Sequence, residues 1–128
     1  MSLHCLDSSG WIEILHNGPN AREFLVVLAK PSSVIVSTIS LYEVWKYTVL
    51  HADKLRADQI ADLMRQSSVF PVGPEIAIHA AALSIKNKLP MADSIIYATS
   101  LANQATLWTQ DSHFEGLPHV RYFPKNKS

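Results

Sequence analysis

The stretch VIVSTISLYEVWKYTVL, residues 34–50, begins as a strand and ends as a helix. Val34–Val36 is a β-branched run closed by Ser37-Thr38, which predicts a short strand. ISLYEVWKYTVLHADKL, from Ile39 to Leu55, is long and apolar enough to predict a buried helix. The same change recurs along the chain. Leu3–Leu6 is ended by Asp-Ser-Ser-Gly and followed by a helix through Trp11–Leu15. Val69–Val72 leads to Gly73-Pro74-Glu75, which opens a helix over Ile76–Lys86 with proline in the first-turn position it favours. LPMADSIIYATSLANQ, residues 89–104, is a helix that precedes a strand at Thr106–Thr109, and a last strand falls at Val120–Phe123. Between these lie a helix over Ala21–Lys30 stopped by Pro31 and an amphipathic helix over Ala57–Gln66 with Ile60, Leu63 and Met64 on one face. Strands separated by helices pair in parallel through right-handed crossovers. The expectation is an α/β fold, a three-layer α/β/α sandwich with a central, mostly parallel sheet of four to five strands. One domain over residues 1–123 is expected, with 124–128 a frayed tail.

Composition narrows the function classes. Hydrophobic residues are 48% and charged residues 17% of 128, which suits a well-packed domain and not a disordered chain. Lys plus Arg and Asp plus Glu balance at 11 each, so no global basic field exists to grip duplex DNA without sequence preference. Cys5 is the single cysteine, so no internal disulfide forms, and a reducing cytoplasm is the expected setting. No secretory signal pattern and no apolar run of membrane-spanning length is present, so a soluble protein without a membrane partner is expected.

Four acids stand out by position. Asp7 and Asp111 each follow the end of a predicted strand, in HCLDSSGW and LWTQDSHF. Glu43 falls one to two turns into the helix after the second strand, and Asp93 in the first turn of the helix before the fourth. All four can reach one sheet edge, and in an open parallel sheet the carboxyl ends of the strands frame the binding crevice. Within three positions Asp7, Asp93 and Asp111 have no Lys or Arg, and Glu43 has only Lys46. Asp53, Asp58 and Asp62 lie instead in the mixed-charge stretch ADKLRADQIADLMR, as on a solvated helix face. Carboxylates gathered in one cleft repel one another unless a cation neutralises them. Mg²⁺ or Mn²⁺ prefers such oxygen ligands, and two ions roughly 3.5–4 Å apart clamp a phosphodiester displacement.

Plainer uses compete. Asp7 and Asp111 suit helix N-caps, Ser40-x-x-Glu43 and Ser112-x-x-Glu115 have the form of capping boxes, and Asp93 complements its own helix dipole. His113, two residues from Asp111, reaches substrate or a metal-bound water, or is an ordinary surface or capping histidine. Ser8, Ser9 and Thr109 flank the acids, either as orienting hydroxyls or as simple caps. Six histidines without an H-x-x-x-H pattern argue against zinc, and four scattered glycines form no phosphate-binding loop. Cys5, inside a strand, reads as an inert core thiol.

With those residues placed, the chain resembles the PIN-domain nucleases, and among them the compact VapC-type toxins of toxin–antitoxin pairs. LDSSGWIEIL, STISLYEVWK, LPMADSIIYATS and LWTQDSHFEGLPHVRYF resemble the four motifs of that family in order and spacing. The resemblance implies that Asp7, Glu43, Asp93 and Asp111 form the acidic catalytic and metal-binding set, with Ser8 or Thr109 as accessory hydroxyl. It implies Mg²⁺- or Mn²⁺-dependent hydrolysis of RNA by water to leave a 5′-phosphate, a homodimer, and a cognate antitoxin that blocks the cleft. Ser9-Gly10 departs from the Asn and aliphatic residues common after the first acid, and His113 stands where another acid is usual. Lys46, Lys86, Lys88 and Arg121 are candidates to grip the RNA backbone. A non-catalytic module of the same fold, binding protein or RNA with its acids as caps, is the alternative.

AREFLVVLAK and ISLYEVWKYTVL are apolar around most of their circumference. Phe24, Val27, Leu28, Trp45, Tyr47 and Leu50 are therefore expected to form a groove for a partner's amphipathic helix, or to be buried in the core.

Overall fold

The computed structural model describes residues 2–125, so the expected tail lies partly outside the described residues. Five strands, β1 (Leu3–Leu6), β2 (Val34–Ser37), β3 (Ser68–Phe70), β4 (Ala105–Thr109) and β5 (Val120–Tyr122), form one sheet in the order β3-β2-β1-β4-β5. Every pairing is parallel. Six helices connect them: α1 (Ser8–Leu15), α2 (Ala21–Leu28), α3 (Thr38–His51), α4 (Lys54–Met64), α5 (Pro74–Asn87) and α6 (Met91–Ala102).

Alternation along the strands sorts the core into two layers. Leu6, Val34 and Val36 pack with Trp11, Phe24, Val27, Val44, Ile60 and Met64 of α1–α4 on one face. Cys5, Ile35 and Leu107 pack with Leu89, Ile96 and Tyr97 from the α5–α6 side on the other. The result is the expected α/β/α sandwich. Burial pushes the Cys5 thiol far up, as suits an inert core cysteine.

The strand order positions the site. The chain builds outward from β1 to β2 and β3, then returns across β1 to β4 and β5. Order reverses between β1 and β4, and a doubly wound sheet opens its crevice outside the carboxyl ends of such a pair. The register sets Leu6 beside Trp108, so Asp7 and Thr109 emerge side by side there.

Several expectations need correction. Residues 39–55 are two helices, because the Asp53 side chain accepts from the Arg56 amide at 2.8 Å and starts α4 afresh. β3 stops at Phe70 because Pro71 has no N–H to donate. α3 is not buried all round: only Ser40, Val44 and Thr48 are buried, while Tyr42, Trp45 and Leu50 are exposed. Phe24 and Val27 belong to the core and not to a partner groove. A groove of about 660 Å³ does exist between α3 and α4, lined by Leu41, Tyr42, Trp45, Lys46, Asp58 and Arg65 among others.

Candidate active site at the carboxyl edge of the sheet

Asp7 is the innermost acid. It leaves β1 in extended backbone and caps α1, its Oδ1 accepting from the Gly10 amide at 3.1 Å. Oδ1 also accepts from Ser9 Oγ at 2.6 Å, and Oδ2 from Thr109 Oγ1 at 2.7 Å. Thr109 Oγ1 in turn accepts from the Asp111 amide at 2.9 Å, and Ser9 Oγ from the Gln110 amide at 3.2 Å. One hydroxyl from each of two adjoining segments thus ties the turn after β4 to the first turn of α1. Burial pushes the Asp7 carboxyl up to about 7 despite the hydrogen bonds from Ser9, Thr109 and Gly10, and nearby Asp111 adds to the rise.

Glu43 lies half-buried in α3 and accepts from Ser8 Oγ at 2.6 Å. It does not take part in a capping box. Ser37 caps α3 by accepting from the Ile39 amide, and Ser40 points inward with its hydroxyl buried and unpartnered. The second expected box also fails, since Asp111, not Ser112, caps the short turn Ser112–Phe114.

Asp93 and Asp111 form the outer part. His113 Nδ1 stands 3.0 Å from Asp93 Oδ2 and 3.0 Å from Asp111 Oδ1. Ligand atoms of these three residues all fall within 4.8 Å of one another. Burial raises the Asp93 carboxyl to about 6, Asp111 and Glu43 raising it further and His113 pulling it back. The His113 imidazole is pushed up from its ordinary value, mainly by Asp111 and less by Asp93.

The four sequence-derived acids therefore share one edge. Hydroxyl and amide links join Asp7 to Asp111, the imidazole joins Asp111 to Asp93, and charge repulsion couples Asp93 to Glu43. Ser8 orients Glu43 and Thr109 orients Asp7. Among the described residues, none of the four acids pairs with a lysine or arginine. Asp7 and Asp93 are held above their ordinary range by burial and by the neighbouring acids, Asp111 for both and Glu43 for Asp93, which is the state a divalent ion would relieve. Asp93 and Asp111 present hard oxygen donors at a part-exposed surface, as Mg²⁺ or Mn²⁺ requires, so the residues fit such an ion.

Two contributors that the sequence offered with open roles take definite ones here. Ser9 does as much to hold Asp7 as Thr109 does, and its signal was the doubled serine after the acid. His113 does not cap a helix but bridges two acids across 20 positions of sequence, which spacing alone does not reveal.

A family model described as the PIN domain matches residues 4–120. No curated protein matches the chain in sequence. Among solved structures, a toxin–antitoxin complex from Klebsiella pneumoniae superimposes with TM-score 0.80 at 23% identity, over 94% of this chain and 98% of that one. The VapC20 toxin of Mycobacterium tuberculosis, described as cleaving the sarcin–ricin loop, gives 0.76 at 14% identity over 90% and 95%. DNA-bound VapBC from Salmonella typhimurium gives 0.74 at 20% identity over 97% and 98%. At these identities the likeness speaks for the fold alone. No helix among the described residues is long and apolar enough to cross a membrane.

Proposed function

The chain belongs to the PIN-domain family, and from that premise we propose that it is a divalent-metal-dependent endoribonuclease, the toxin of a toxin–antitoxin pair. The observation that carries the reading is the meeting of Asp7, Glu43, Asp93 and Asp111 at the switch point of a parallel sheet with no lysine or arginine partner among the described residues. A phosphodiester approaching these acids is repelled unless a cation lies between them. Asp93 and Asp111 would hold Mg²⁺ or Mn²⁺ first, with Glu43 and the second oxygen of Asp7 behind them. Such an ion, when bound, supplies Lewis-acid polarisation of the phosphate and lowers the pKa of the water it carries.

The protein's own residues supply position. Thr109 and Ser9 fix the Asp7 carboxylate, and Ser8 fixes Glu43 toward the same centre. His113 holds a proton at Nδ1 between Asp93 and Asp111 and neutralises part of their repulsion until the centre is loaded. Lys46, with Glu43, Tyr47 and His51, lines a groove of about 270 Å³ and is a basic residue placed beside one of the acids for the RNA backbone. Arg121 lies over the Trp108 and Phe123 rings instead. The antitoxin belongs to the same proposal; the solved complexes similar to this chain and the open groove between α3 and α4 support it. A homodimer and a cytoplasmic setting complete it.

The test is cleavage of a labelled RNA by the purified chain with Mg²⁺ or Mn²⁺, and with chelator. Cleavage is expected only with the ion, and Asp93→Asn is expected to abolish it while circular dichroism stays unchanged. RNA left whole under every condition would overturn the nuclease and favour the non-catalytic module, since Asp7 and Asp111 do serve as caps.

A further inference from the structure

Two grooves adjoin the acidic centre and share a plan. One, along α3, is lined by Glu43, Lys46, Tyr47 and His51 among others; the other is lined by Asp111, Ser112, Tyr122 and Lys125 among others. Each holds about 270 Å³. That is just under the roughly 300–1,000 Å³ of sites that enclose a drug-sized molecule, and suits one nucleotide-sized group. The wider groove between α3 and α4 is the one sized for a partner's helix. Each small groove combines one acid of the centre, an aromatic ring and a lysine. The sheet order sets them on opposite sides of that centre: α3 follows β2, Asp7 follows β1, Asp111 follows β4, and Tyr122 ends β5 at the far edge.

The lysines are not spent on the acids. Lys46 lies one turn from Glu43, and Lys125 shares a groove with Asp111, yet neither lysine is in an ion pair among the described residues. Lys46 leans over Tyr42 instead, its ammonium 5.5 Å from the ring centre. Acid and cation left unpaired in one groove can serve different parts of one ligand, the acids a metal ion and the lysine an anion.

The rings along α3 are fixed in advance. Tyr47 and His51 stack with centroids 4.0 Å apart and planes 17° from parallel. His16 Nε2 stands 2.7 Å from the Tyr47 hydroxyl, and His51 Nδ1 donates to the Tyr47 carbonyl at 2.9 Å. His51 is exposed. A pinned ring at the surface loses little freedom when another ring stacks on it, and every nucleobase has such a face. In the second groove Tyr122 is half-buried, its backbone paired with Thr109 in the sheet.

We propose that the two grooves are nucleotide subsites on opposite sides of the acidic centre, for the residues of an RNA strand that flank the phosphate at the acids. The Tyr47–His51 stack takes an unpaired base in one and Tyr122 in the other, while Lys46 and Lys125 meet the adjoining phosphates. This rests on the ribonuclease reading above and deepens it, assigning side chains to the strand on either side of the cut.

An RNA strand of about 12 nucleotides, carrying 2-aminopurine at one position at a time, tests it by the loss of fluorescence that stacking causes. Binding to the full chain is read with Ca²⁺ in place of Mg²⁺, and the cut is mapped with Mg²⁺. The wild type is expected to quench the probe at two positions, one on each side of the bond that is cut. His51→Ala is expected to remove the quench at one position and Tyr122→Leu at the other, each raising the dissociation constant at least about fivefold. Tyr122→Phe, which keeps the ring, should retain both. Should Tyr122→Leu melt early, exposed His51 still decides. Lys46→Gln and Lys125→Gln are each expected to lower the slope of log affinity against log salt by about 0.7. No quench at any position, a quench that survives both ring changes, or salt slopes unmoved by the lysine changes would overturn the proposal. Ring variants indistinguishable from a wild type that cuts RNA would remove the subsites and leave the nuclease. Two quenched positions without cleavage in Mg²⁺ would uphold the subsites and remove the nuclease.

Discussion

Asp7 and Asp93 belong to one acidic centre but are held in opposite ways. Asp7 is almost wholly buried and accepts three hydrogen bonds, from two hydroxyls and an amide that belong to β4 and α1. Asp93 is half-buried, and the one hydrogen-bond partner of its carboxyl among the described residues, His113, is a side chain more than half exposed. The inner acid is part of the frame that joins two segments. The outer acid leans on a donor that solvent can replace. The difference teaches where the fold needs these carboxyls and where only a ligand does: removing the inner one should unsettle structure and function together, the outer one function alone.

The sharpest separation should come from Asp93→Asn. RNA cleavage is expected to fall at least about 100-fold, since a charge aimed at the reacting phosphate's counterion is lost. Its melting temperature in chelator should equal or exceed wild type, because a repulsive charge goes with it. A large loss of stability would place Asp93 in the frame beside Asp7 and erase the contrast.

Thr109→Val probes the inner half. It strips Asp7 Oδ2 of its donor and the Asp111 amide of its acceptor in a buried place. Unfolding measured with denaturant is expected to show a loss of about 1–3 kcal/mol, and turnover to fall about 10–100-fold through the displaced acids. A variant as stable as wild type would mean that the hydroxyl network merely decorates the turn.

The two halves should also answer to pH in the same sense, although they are held differently. Folded Asp7 and Asp93 titrate near 7 and 6, above the ordinary value of 3.8. A raised carboxyl favours the folded state most while protonated, so its contribution is full below about pH 4 and is lost as pH rises toward 7. In metal-free protein these ionisations therefore cost stability over that window. Manganese should reverse the loss, so its rise in melting temperature is expected to be larger at about pH 7.5 than at about pH 5. Equal shifts at both values would detach the ion from these acids.

The smallest effect should be that of His113→Ala. With the imidazole mostly in solvent, stability is expected to change by less than about 1 kcal/mol in denaturant unfolding.

Much of this was legible in the chain. The order of strands and helices followed from β-branched runs closed by Ser, Gly or Pro, and all six helices began within about three residues of their expected starts. The boundary between α3 and α4 was hidden, because the run expected as one helix continues through His51 into Leu55 and only the Asp53 cap divides it. The four acids were legible through their lack of basic neighbours. The bridging role of His113 and the weight of Ser9 were not, since both arise from a turn after β4 folding onto the start of α1.

By itself, then, the sequence determined the α/β alternation, the absence of a global basic field and the four isolated acids. Those are local properties: period, propensity and the charges within one turn. Only the tertiary structure decided that β1 lies between β2 and β4, that Phe24 and Val27 are core while Leu50 faces solvent, and that Ile78 and Ile85 stay uncovered. An apolar face announces that burial is favourable, but which surface covers it depends on how the sheet is ordered and on which helix reaches it first. That ordering is a long-range outcome no window of residues contains.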